Sequence, residues 1–108
     1  MSGMRVRLTP AARATLDEIL DRILRENRFA AQRYRDQIAR TLRRVGLFPR
    51  SGHAVPEFPR PDLRQVIVDP YRFFYFVDEP RRTVWIVAVW HGAQIPAYPA
   101  LPQPSAPR

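Results

Sequence analysis

The chain has 108 residues, no cysteine and a formal net charge of +8, and all 18 of its basic residues are arginine. That length fits one domain with a core of its own, and the missing thiols exclude structural disulfides and thiolate metal sites. Without cysteine, a transmembrane-length apolar run or an apolar leader after Met1, the chain is expected to be cytoplasmic, with no membrane partner and no cofactor.

Met4, Val6 and Leu8 alternate with Arg5 and Arg7, the period-2 pattern of a half-buried strand. Thr9-Pro10 then supplies an N-cap and a first helical residue. Leu16, Ile19, Leu20, Ile23 and Leu24 recur at helical spacing up to about Asn27, a C-terminal stop. A second helix is expected from about Phe29 to Val45, with Ala31, Tyr34, Ile38, Leu42 and Val45 on one side. Arg33, Arg40, Arg43 and Arg44 lie opposite. Residues 28–50 hold seven arginines against the single acid Asp36, whereas residues 10–27 hold three arginines against four acids. So much positive charge on one segment suits an acidic partner, whether RNA, DNA or an acidic protein segment; a solvated helix face is the plain alternative.

Gly46, Pro49 and Gly52 are expected to end this helix, and residues 51–61 read as a proline-bearing loop. Leu63 to Val68 is a strand candidate. Tyr71-Arg-Phe-Phe-Tyr-Phe-Val77 and Thr83-Val-Trp-Ile-Val-Ala-Val-Trp-His91 then read as a hairpin of aromatic and β-branched strands. Five prolines between Gln94 and Arg108 allow neither sheet nor helix, so residues 95–108 are expected to form a flexible tail after a domain spanning 1–94. The expected fold is a two-layer α+β domain. It has an N-terminal strand, then a helical hairpin packed on a mainly antiparallel sheet, in the order β-α-α-β-β-β.

This layout, with Asn27 before Ala30-Ala31, Pro49-Arg-Ser-Gly52, Leu63-Arg64, Tyr71-Arg72-Phe73-Phe74-Tyr75 and Val89-Trp90-His91-Gly92, resembles the RelE/ParE toxin superfamily. These are the toxins of type II toxin–antitoxin modules, also called plasmid-stabilisation proteins. The resemblance implies a growth-inhibiting protein neutralised by an antitoxin whose acidic or amphipathic segment covers it. It implies two targets: ParE-like members act on DNA gyrase, and RelE-like members cut mRNA on the ribosome. A member that keeps the fold as a non-toxic binding or regulatory protein is a third reading.

For a ribonuclease the chemistry needs a base, a cation for charge building on phosphorus, and an acid for the leaving oxygen. The resemblance assigns Arg72 as the phosphate clamp, Glu57 as the carboxylate base and His91 as the histidine of the YoeB-like branch. Arg64 would add a phosphate contact. Each has an ordinary alternative. Arg72 can pair with Glu57 or Asp69, Glu57 can be plain surface, and His91 can cap a strand. RelE carries an arginine after the last strand where this chain has Gln94, and a lysine cluster before the third strand that is missing here. The sequence therefore favours a non-enzymatic, ParE-like inhibitor. Arg33, Arg40, Arg43, Arg44, Arg64 and Gln94 are its candidate partner- or nucleic-acid-binding residues.

Overall fold

A computed structural model describes residues 3–92; Gln94 and the expected tail at 95–108 lie outside the described residues. The elements are β1 (Arg5–Leu8), α1 (Pro10–Glu26), α2 (Arg28–Leu47), β2 (His53–Ala54), β3 (Leu63–Val68), β4 (Tyr71–Asp78) and β5 (Thr83–His91). The strands make one five-stranded sheet in the order β1-β5-β4-β3-β2. Strands β2 to β5 pair antiparallel, while β1 joins parallel to β5, from Arg5 opposite Thr83 to Leu8 opposite Ile86. The fold is α+β, a helical hairpin on a mainly antiparallel sheet.

Capping explains why two helices follow each other without a loop. Thr9 Oγ1 accepts the Ala12 N–H at 3.2 Å, with Pro10 as the first helical residue. Asn27 serves two helices. Its N–H donates to the Ile23 carbonyl at 2.8 Å, closing α1. Its Oδ1 accepts the N–H groups of Phe29 and Ala30 at 3.0 Å each, opening α2. Gly46 does not stop α2, which continues to Leu47. The glycine is there for close approach: Met4 N–H donates to the Gly46 carbonyl at 2.8 Å, and a Cβ on Gly46 would stand 2.8 Å from the Met4 carbonyl oxygen. The start of β1 thus lies directly against the end of α2.

Strand β4 is central and covered on both sides, so every residue from Tyr71 to Phe76 is buried. On the helix side Leu16, Ile19 and Ile38 pack against Phe73, Tyr75 and Ile86. Burying each such side chain contributes about 1.5–3 kcal/mol. On the far side Val55 and Phe58, from the chain between α2 and β3, cover Phe74, Phe76 and Val87, with Trp85 and Trp90 half-buried at the margin. The stretch expected as a loop is therefore a packed cover carrying β2, where His53 pairs with Gln65 and Ala54 with Arg64. Two residues are too few for an alternation to show. Tyr75 ties the start of this cover down. Its hydroxyl donates to the Pro49 carbonyl at 2.7 Å and accepts the Gly52 N–H at 2.9 Å, and any Cβ on Gly52 would collide with it.

Strand β5 contains a bulge. Phe74 pairs with Ala88 and Tyr75 with Ile86, so Val87 has no partner, and both Val87 and Ala88 face the far side. Beyond it Val89 returns to the helix side, opposite Phe73, and Trp90 faces outward, opposite Arg72.

Candidate functional site

Arg72 projects from β4 onto the far side, beneath the cover. Its Nη1 and Nη2 donate to the two carboxylate oxygens of Glu57 at 2.9 and 2.8 Å, and its Nε donates to Gln65 Oε1 at 2.8 Å. The guanidinium also lies 4.9 Å from the Phe74 ring centroid. The Arg72 side chain is 10% exposed and that of Glu57 30%. A cation so far from water needs close, well-directed partners, and a bidentate carboxylate with a side-chain amide provides them. No buried side-chain nitrogen or oxygen among the described residues lacks a partner. The hydrogen-bonded Arg72 holds the Glu57 carboxyl below its ordinary pKa, with desolvation opposing it in part. Gln65 is fixed in turn, its Nε2 donating to the Ala54 carbonyl at 3.0 Å.

Of the three residues named for ribonuclease chemistry, the fold brings together two. Glu57 and Arg72 meet; His91 does not join them. His91 pairs with Tyr71 across the ladder, and their rings meet edge-on at 5.4 Å on the helix side of the sheet. Tyr71 in turn lies 6.2 Å from Tyr34. The imidazole and the guanidinium are thus on opposite faces. With two of its donor groups on Glu57 and its Nε on Gln65, Arg72 would have to release its carboxylate before clamping a phosphate.

The other arginines divide into two kinds. Arg64 Nη1 donates to the carbonyls of Arg50 at 3.2 Å and Gly52 at 3.1 Å, holding the chain that leaves α2. Arg33, Arg40, Arg43 and Arg44 are exposed on α2 and form no ion pair with any described residue. A groove of about 700 Å³ runs beside the end of α2, lined by Met4, Leu47, Phe48 and Pro49, with the exposed Arg50–Glu79 ion pair at 2.6 Å on its rim. Among the described residues no cluster of three His, Asp or Glu could hold a metal ion. No helix among them is long and apolar enough to cross a membrane.

Sequence reasoning missed Gln65 and Phe74 as parts of the site. Both belong to it because β3 and β4 pair Gln65 with Phe74, next to Arg72 opposite Ile67. Cross-strand register of that kind leaves no mark in either strand alone.

The architecture matches solved toxin–antitoxin proteins. One neighbour is the chromosomal ParDE system from P. aeruginosa, with a TM-score of 0.64 and 19% identity over 82% of this chain and 95% of that one. Another is the RelBE2 toxin–antitoxin complex from Mycobacterium tuberculosis, with a TM-score of 0.52 and 22% identity over 87% of this chain and 97% of that one. Comparison with curated proteins gives no match. The fold is thus the one found in toxin–antitoxin systems of the ParE and RelE kind. A family model described as the ParE toxin of the type II toxin–antitoxin system, parDE, matches residues 6–96, and the chain belongs to that family.

Proposed function

We propose that this ParE-family toxin acts by binding DNA gyrase and not by cutting mRNA. One observation carries the reading: the residues that nuclease chemistry requires are not gathered in one place. Arg72 is occupied by Glu57 and Gln65, and His91 lies across the sheet. A carboxylate kept ionised by a bidentate arginine is a weak base, and His91, the imidazole named as the acid, lies on the opposite face. Basic and aromatic surface on a small rigid domain suits an inhibitor that works by occupying a larger protein. The antitoxin, on this reading, seats an amphipathic segment along the groove at Leu47 and Phe48.

The ribonuclease reading retains one supporting feature, the contact between Glu57 and Arg72. The two are separated by adding purified protein to a gyrase supercoiling assay and, in parallel, to translating ribosomes carrying a reporter mRNA. Loss of supercoiling with intact mRNA is expected. Unchanged supercoiling at saturating protein, together with mRNA cleavage that Arg72→Ala abolishes, would replace the proposal with the nuclease.

A further inference from the structure

Helix α2 carries its positive charge in a row. At 3.6 residues per turn, Arg33, Arg40 and Arg44 fall within about 40° of one another around the axis, with Arg43 on the flank. Gln37 is the uncharged member of the row. All five side chains belong to exposed residues, and the buried Tyr34, Ile38 and Val45 lie on the opposite side. With a rise of 1.5 Å per residue, Arg33 to Arg44 spans roughly 16 Å. The helix has one acid, Asp36, and its Oδ1 accepts from Gln32 Nε2 at 3.0 Å. The row's charge is therefore unbalanced on its own helix.

We infer that this row binds the sugar–phosphate backbone of duplex DNA. A duplex strand presents one phosphate per about 3.4 Å of axis, so a row of roughly 16 Å lies along about five of them, enough for one contact from each of Arg33, Arg40, Arg43 and Arg44. Arginine supplies paired donors that match phosphate oxygens. The composition of the row argues against an acidic protein segment as the occupant. Protein interfaces are built around an apolar centre, yet the row holds only charge and one amide. The exposed apolar residues on the outward side of α2, Phe29 and Leu47, stand beyond its two ends. Single-stranded nucleic acid is matched by aromatic side chains interleaved with basic ones, and none stands within the row. A rigid helix carrying charge alone suits a rigid duplex. The inference reaches beyond the inhibition of gyrase, because it concerns binding to DNA with no other protein present.

The test uses the full-length protein and a fluorescein-labelled mixed-sequence duplex of about 30 base pairs, followed by anisotropy between 50 and 200 mM salt. Four phosphate contacts give a slope of about −3.6 in log K against log salt, so affinity should fall roughly 100-fold across that range. The R33E/R40E/R44E variant, checked for native circular dichroism, should bind at least about 30-fold more weakly at 50 mM salt. The charge-matched control R5E/R13E/R25E, with exposed sites off the row, should lose no more than about fivefold. The inference is overturned by equal losses in the two variants, by no loss in the first, or by wild-type protein that fails to bind at about 100 μM and 50 mM salt. A polyglutamate peptide or single-stranded RNA that binds as tightly as the duplex, with the same sensitivity to the three substitutions, would also overturn it. Duplex preference with selective loss in the row variant supports it.

Discussion

At the scale of single residues, Glu57 and Arg72 are a mutually dependent pair. Removing the carboxylate leaves a guanidinium with little water around it, and Glu57→Ala should cost about 3 kcal/mol in urea unfolding at neutral pH. The Glu57 side chain keeps 30% exposure, which holds the cost at the lower end of the range for buried pairs. Because the folded pKa of Glu57 is depressed, its contribution is fully present above the ordinary carboxylate range and is lost as pH falls through the folded value. The gap in unfolding free energy between wild type and Glu57→Gln should therefore be constant near pH 7 and shrink on acidification. Parallel curves down to pH 3 would mean that the pair contributes nothing through its charge. Tyr75 and Tyr34 show the same logic with hydroxyls: burial pushes both phenols up, and each remains a protonated donor to a backbone carbonyl.

At the scale of elements, periodicity located the helices because each has one wet and one dry side, and Asn27 was readable as a boundary because its side chain competes with the helical backbone. The end of α2 was not readable. Glycine at position 46 reads as a stop, whereas its role is to admit the backbone of β1, a contact made with residues some forty positions away. Gly46→Ala tests this directly. Helix propensity alone would gain about 1 kcal/mol, but the new methyl meets the Met4 carbonyl, so a net loss of about 1–2 kcal/mol is expected. A melting temperature lower by about 5 °C or more would agree with that loss; a rise would mean that β1 does not pack as closely as described. The candidate site was half legible. An arginine in an apolar strand announces the need for an anion, and Glu57 was one of two carboxylates named for it. That the pair lies under a cover pinned by Val55 and Phe58 depends on long-range packing that no local pattern records.

At the scale of the whole molecule, the distribution of apolar and charged surface separates two kinds of contact. The apolar groove beside Leu47 and Phe48, which are 47% and 57% exposed, is suited to the antitoxin's apolar side. The arginine row of α2 is suited to phosphate. Phe48→Asp should weaken the complex with the cognate antitoxin at least about tenfold in a calorimetric titration. It should leave duplex binding nearly unchanged. Equal affinity of the two forms for the antitoxin would move the antitoxin's seat elsewhere.

The unpaired Val87 has a wider consequence for how relatives are compared. One extra residue in a strand moves every side chain after it to the other face of the sheet, so the terminal Trp90-His91 dipeptide alone does not say which flank its imidazole occupies. Two homologues could share that dipeptide letter for letter and present the ring to opposite solvents. Roles borrowed along an alignment hold here only after the kinks of the strand have been counted.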